Sequence, residues 1–321
     1  MPKILQPLFV LLQQCADKQH PQRKQGRPLV YGHIPMLLFF ITMALKRIHA
    51  FKAMADYAQV HYRRFGFPAS PSRKTLRRRL LALPAFLQRF MPELASQAGC
   101  LDERFSFRTA FADKSLFRAL GGLWHKKHRQ QGIVPHRSID TEASWGKSPY
   151  HGWRFGYGLH VVANGFRFPV MACVTTASAK DYHQLLGLLS PMAEGCLLVI
   201  ADAGYRSIRA IMQVWNSLKI FVLTRAPFKG ESANKLWYNQ IAEHVGATVL
   251  YRRRQPSIEP VFSMLKELFA LKGEEPLPYK GLAKVEAYLL LATVSLQVMM
   301  IFNSIHQHPL QATKPFRFAL D

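Results

Sequence analysis

The chain has 321 residues and a formal net charge of +24, from 43 Lys and Arg against 19 Asp and Glu. At 49% hydrophobic residues it can bury the core of one or two domains, so the excess charge belongs to a folded exterior and not to a disordered basic tail. Nucleic acid is the expected partner; a membrane is not, because no basic amphipathic segment stands out and no apolar run is read as long enough to span a bilayer.

Near the start, ILQPLFVLLQQC has a helical period. It has the apolar character of a leader, but Pro7 interrupts it and two glutamines precede Cys15, so the segment is read as a helix and the protein as cytoplasmic, associated with the nucleoid. Cys15, Cys100, Cys173 and Cys196 are scattered without a C-x-x-C pair, which argues against a disulfide framework or a cysteine zinc site. The stretch KQHPQRKQGR, residues 18–27, reads as a basic linker, and helical periodicity resumes in HIPMLLFFITMALKRIHAFKAMADYAQ. Ser72 is positioned as an N-cap, and the RKTLRRRL after it places Arg73 and Arg77, and Lys74 and Arg78, on adjoining helical faces. Residues 1–100 hold 16 Lys and Arg against Asp17, Asp56 and Glu93, so this part is expected to be an all-helical DNA-binding region.

After about residue 101 strands alternate with helices. RFSFRTAFA, FGYGLHVVA and FRFPVMACVTT read as strands, the last two joined by an Asn164-Gly165 turn. A helix over 181–193, the strand LLVIA, the helix SIRAIMQVWNSL and the strand IFVLT follow. SIEPVFSMLKELFAL then carries an apolar stripe of Phe262, Leu265 and Phe269, and AYLLLATVSLQVMMIF reads as a buried packing helix. Residues 114–153 form a polar insertion, 101–310 a catalytic domain and 311–321 a tail.

Asp113 is read as ending the first strand and Asp202 the fourth. If those strands lie parallel and adjacent, both acids share the sheet edge where open α/β sheets hold ligands. Glu259 is placed in the first turn of its helix, between Pro256 and Pro260. Three carboxylates facing polyanionic DNA repel it unless a divalent cation intervenes, which points to Mg²⁺, with Mn²⁺ as the alternative. Asp140, with Glu142 beside it, is a rival first aspartate in a segment that reads as a loop. His125 and His128 have a metal-like spacing but no further ligand pair. One of Trp124, Trp145, Trp153, Trp215 and Trp237 is available to stack on an unpaired base, and nothing in the sequence chooses among them.

The ordered blocks ADKSLFRALGGLWHKK, SIDTEASWGKSPYHGWRFGYGLHVV, VIADAGY and RQPSIEPVFSMLK resemble the DDE transposases of bacterial insertion sequences over residues 104–305. The resemblance implies an α/β RNase H-like core, a mixed five-stranded sheet flanked by helices, with Asp113, Asp202 and Glu259 as catalytic and metal-binding residues. It also implies a Tyr-Arg-Glu-Lys signature, met here by Tyr251, Arg254, Glu259 and Lys266 as DNA-binding neighbours of the glutamate. The arginine is displaced by one position, with Gln255 in its slot. The implied activity is two-metal hydrolysis at the element's terminal inverted repeats and joining of the 3′-hydroxyl ends to target DNA, by a homodimer on paired ends. The alternative is a catalytically inactive or repurposed relative acting as a DNA-binding repressor.

Overall fold

A computed structural model describes residues 2–19, 30–148, 152–225, 227–271 and 275–320. The greater part of the basic stretch read as a linker, residues 20–27, lies outside them. The described part of the first hundred residues holds helices α1 (Gln6–Gln19), α2 (His33–Leu45), α3 (Phe51–His61) and α4 (Arg73–Leu101). Ser72 caps α4 as its position predicts, its hydroxyl accepting from Thr75 N at 3.2 Å. Helix α2 is buried from Met36 to Ala44 without interruption, so it is a core helix and not an amphipathic one.

Among the described residues six strands form one sheet: β1 (Thr109–Arg118), β2 (Ser144–Ser148), β3 (Gly152–Asn164), β4 (Pro169–Thr176), β5 (Leu198–Ala201) and β6 (Phe221–Leu223). The path runs β2-β3-β1-β5-β6, and β4 pairs with β3 along the same edge as β2. Strands β1, β3 and β4 are antiparallel neighbours, whereas β5 and β6 run parallel to β1. This is the RNase H-like order that the resemblance implies. The sixth strand, β2, falls inside the segment read as a polar insertion. SWGKS has no apolar alternation, and only its pairing with the first residues of β3 makes it a strand.

The remaining helices are α5 (Lys126–Gln130), α6 (Leu185–Leu189), α7 (Ile208–Leu218), α8 (Ala233–His244), α9 (Ala247–Arg252), α10 (Arg254–Leu268), α11 (Leu282–Ile305) and α12 (Thr313–Leu320). Helix α10 lies over β1 and β3, while α4 and α11 pack on each other and on β4. Covered in this way, β3 is buried continuously from Arg154 to Asn164, which is why its sequence is apolar without alternating. Helix α11 is long and apolar enough to span a bilayer, but 94% of its most apolar window is buried inside the protein, in keeping with a packing helix. The last residues, read as a tail, form α12 with Phe316 and Leu320 buried.

The Asn164-Gly165 turn forms, but its left-handed residue is Arg167, at φ 68°. Asn164 fixes the turn: its Oδ1 accepts from Phe166 N and Phe168 N, and its Nδ2 donates to Arg104 O and Ser106 O. From there Arg167 Nε reaches Pro256 O in α10 at 3.3 Å. Pro260 has no N–H to give that carbonyl, so the arginine supplies a donor that the helix lacks.

Candidate active site

Strand β1 pairs with β5 only as far as Ala112 opposite Ala201, and the last rung is Asp202 N to Ala112 O at 3.3 Å. Asp113 and Asp202 are therefore the first residues past the parallel pair, side by side at its carboxyl end. Asp113 does not end its strand, contrary to the expectation from sequence. β1 continues to Arg118 because β3 keeps pairing with it as far as Gly156. Glu259 is likewise one turn later than expected: α10 begins at Arg254, Pro256 occupies its first turn, and Pro260 falls in the interior.

Both aspartates are held by one guanidinium. Arg254 Nη1 lies 2.8 Å from Asp113 Oδ2 and Nη2 lies 3.4 Å from Asp202 Oδ1. The Tyr251 hydroxyl donates to Asp202 Oδ1 at 3.4 Å, and the guanidinium lies 5.7 Å from the centre of the Tyr251 ring. Gln255 Nε2 donates to Glu259 Oε2 at 3.3 Å. Burial pushes the Asp113 carboxyl up to about 6; the charge of Asp202 adds to this, while Arg254 opposes it. Burial draws Arg254 down, yet Asp113 and Asp202 outweigh it and leave the guanidinium above its ordinary value, so it stays charged. The pair of acids thus retains a cation between them.

Asp113, Asp202 and Glu259 line one cavity of about 480 Å³, together with Lys147, Asp181 and Lys266. Lys266 Nζ lies 5.4 Å from the centre of the Phe117 ring, and burial, with Arg154 nearby, lowers its pKa. Among the described residues no three of His, Cys, Asp and Glu converge closely enough to hold a metal ion as they stand.

The family of the transposase DDE domain matches residues 113–297, more than half of the chain. This chain is a DDE transposase. No curated protein matches it. Two solved structures are similar at a distance. One is the piggyBac transposase synaptic complex with hairpin DNA, at 10% identity and a TM-score of 0.40, covering 98% of this chain and 76% of that one. The other is a pre-cleavage Mos1 transpososome, at 12% identity and a TM-score of 0.22, covering 88% and 81%.

Beneath the carboxylates the transposase holds two polar clusters that the sequence did not announce. Lys114 Nζ donates to Asp181 Oδ1 at 2.9 Å, Ala179 O at 2.9 Å and Ala177 O at 3.1 Å, so all three of its protons are used. Gly204 makes room for this pair, because a Cβ there would stand 2.1 Å from Asp181 Oδ2. His160 is fully buried between Tyr205, 2.7 Å from Nδ1, and Thr175, 3.1 Å from Nε2. Thr175 gives its own proton to Thr176 O, so His160 donates from Nε2 and accepts from the Tyr205 hydroxyl. Lys114 and Tyr205 belong to the ADKS and DAGY blocks, and a lone lysine in a buried strand was the signal that an acid partner was needed.

Asp140 is buried, with Tyr157, Gly281 and Glu142 N–H or O–H donors on its carboxylate, and Glu142 accepts from Leu282 N. Neither lines the carboxylate cavity. His125 faces Trp145, 6.4 Å between ring centres, and no metal-binding group includes it or His128 among the described residues. Trp124, Trp145, Trp215 and Trp237 pack on the core, whereas Trp153 is 66% exposed. It sits across from Lys147 in the β2–β3 pair. Arg73, Lys74, Arg77 and Arg78 are all exposed on the first turns of α4, away from the cavity lining.

Proposed function

We propose that Asp113, Asp202 and Glu259 are the catalytic carboxylates of this transposase and that they hold Mg²⁺ or Mn²⁺ during DNA cleavage and 3′-end joining. The observation that carries this reading is the cation already shared by Asp113 and Asp202 at the carboxyl end of β1 and β5, beside the same cavity as Glu259. The donor set fits the metal: three hard oxygen ligands, two of which select positive charge even without one. A bound divalent ion supplies activation of a water or 3′-hydroxyl and stabilisation of the leaving oxygen. Tyr251 holds the Asp202 carboxylate in place. Lys266, two turns beyond Glu259, and Lys147 meet the phosphates that flank the scissile one.

In this reading Arg73, Lys74, Arg77 and Arg78 bind duplex DNA, residues 1–100 engage the terminal inverted repeats, and residues 101–310 do the chemistry, with 311–321 closing the core. Two DNA ends meet on a homodimer, in the bacterial cytoplasm where the DNA lies. Because α4 shares its packing with α11 and β4, the two functions belong to one body and are tested in the full chain. The deciding experiment incubates the protein with the DNA ends flanking its gene and Mg²⁺, resolving nicked, excised and joined products. Asp113→Asn, Asp202→Asn and Glu259→Gln are each expected to cut both cleavage and joining by about 100-fold or more while DNA affinity is kept. Normal cleavage by Asp113→Asn would remove it from the triad.

A further inference from the structure

Arg254 stands between two cavities. Its guanidinium spans Asp113 and Asp202, which wall the carboxylate cavity. Arg254 also lines a separate cleft of about 940 Å³ bounded by the end of β6, α8 and α9. Arg225, Arg252 and Arg254 line that cleft, against Glu243 as its one acid among the described residues. Arg225 and Arg252 are exposed, so the cleft presents positive charge to solvent.

Arg254 is not fully satisfied where it sits. Its Nε is buried without a hydrogen-bond partner, although Nη1 and Nη2 are both engaged. An arginine serving only as a structural brace normally has its fork of donors matched, because an unpaired buried donor opposes folding. The oxygens it holds are also those that a divalent cation needs. Two positive groups cannot share Asp113 Oδ2 and Asp202 Oδ1 without repelling each other.

We infer that Arg254 is a stand-in cation that divalent metal displaces, and that the displaced guanidinium joins Arg225 and Arg252 in the cleft to bind a DNA phosphate. The inference rests on Asp113, Asp202 and Glu259 being the metal site. Three guanidiniums gathered in one cleft repel unless an anion lies among them, so release of Arg254 is unfavourable without DNA and favourable with it. Metal and DNA therefore bind cooperatively through this one side chain. The coupling is reciprocal: DNA tightens metal binding by the factor by which metal tightens DNA binding. Before DNA arrives, the same contact competes with metal for the carboxylates and weakens its binding. Arginine suits the task where lysine does not, because its planar fork reaches two carboxylates at once and then a phosphate.

The test uses the full chain and no turnover. Mn²⁺ binding without DNA is measured by the loss of the free-ion electron paramagnetic resonance signal, in the wild type and in Arg254→Gln. Arg254→Gln is expected to bind Mn²⁺ about fivefold or more tightly, since the competitor is gone. The gain in affinity for an end-bearing duplex on exchanging EDTA for Ca²⁺ is expected to shrink in the same variant. Phenylglyoxal labelling of the wild type, mapped by mass spectrometry, decides the matter if Arg254→Gln does not fold. Arg254 should be protected alone, reactive with Ca²⁺, and protected again when the duplex is added. Equal or weaker Mn²⁺ binding by Arg254→Gln, or an Arg254 still protected in Ca²⁺, overturns the inference. Asp113→Asn and Asp202→Asn separate it from the reading beneath it: if they bind Mn²⁺ as the wild type does, the metal site itself is misassigned.

Discussion

The Tyr157 hydroxyl donates to Asp140 Oδ2 at 2.8 Å, and Gly281 N donates to the same oxygen at 2.9 Å. One buried carboxylate thus ties β3 to the start of α11, where Gly281 adopts φ 91°. Burial, and then Asp140 itself, push the Tyr157 hydroxyl well above its ordinary pKa, so it remains a donor at any working pH. Asp140→Ala strands these donors and the Glu142 N–H that reaches Oδ1 at 3.2 Å. A loss of about 1–3 kcal/mol in urea unfolding is expected, the cost of the one fully buried donor, the Tyr157 hydroxyl, left unpaired, because Gly281 and Glu142 are open to water. Cleavage per folded molecule should be unchanged. A variant that unfolds like the wild type yet cannot cleave would return Asp140 to the active site.

What the sequence made legible follows from how local each signal is. LVIA and GLHVV are apolar runs that report burial by themselves, so β5, β3 and the edge carrying Asp202 are readable. The second half of β1 and all of β2 are not, because DKSLFR and SWGKS become strands only through pairing with distant β3. Spacing also misplaced Arg254 by one position relative to Glu259. The extra residue falls between Arg254 and Glu259, inside α10, while the spacing from Tyr251 to Arg254 is kept, and the guanidinium at the start of the helix still reaches both aspartates. Lys114 and Asp181 lie 67 positions apart, a pairing that no periodicity reveals.

Gly204 is where the DAGY block and the Lys114–Asp181 pair meet. A methyl group there would fall 2.1 Å from Asp181 Oδ2, an oxygen that cannot swing away freely because Lys114 holds its neighbour at 2.9 Å. Gly204→Ala should therefore break the ion pair and shift the turn after Asp202, at a cost of about 1–3 kcal/mol. Asp181→Ala removes the obstacle along with the pair. The double variant should be more stable than the sum of the two single losses predicts, a coupling that a double-mutant cycle in urea measures. Strict additivity would show that the close approach is not what fixes glycine at this position.

His160 should make the protein sensitive to acid. Burial, with Lys114 adding its charge, pulls the imidazole down to about 3 from the ordinary 6.5. The unfolded chain gains its proton near 6.5 while the folded one refuses it until about 3, so the unfolded state binds more protons between these values. Stability is fully present above 6.5 and is lost as the pH falls, by at most about 1.4 kcal/mol per pH unit from this group. Urea midpoints at pH 7, 6 and 5 (roughly the window in which unfolded histidine titrates) should fall more steeply for the wild type than for His160→Gln. Glutamine retains hydrogen-bonding capacity without the charge. Parallel curves would mean that His160 titrates normally in the folded protein.

The basic face of α4 is a prediction about DNA because it is poor design for a helix. Arg73, Lys74, Arg77 and Arg78 are exposed within the first two turns, where the helix dipole disfavours positive charge, and the first turn contains no acid. Arg79, next in line, is a different case: its Nη2 donates to Tyr31 O at 2.9 Å and ties α4 to the segment before α2. Changing the first four residues to Gln should therefore leave the melting temperature unchanged or slightly raised while weakening DNA binding. For every phosphate that the variant no longer neutralises, the slope of log affinity against log salt should become shallower by about 0.9, measured by fluorescence anisotropy between about 50 and 200 mM salt. Arg79→Gln should do the reverse, lowering the melting temperature and leaving the slope alone. If the four-residue variant kept the wild-type slope, these charges would be solvated surface and the DNA would lie on another face of the protein.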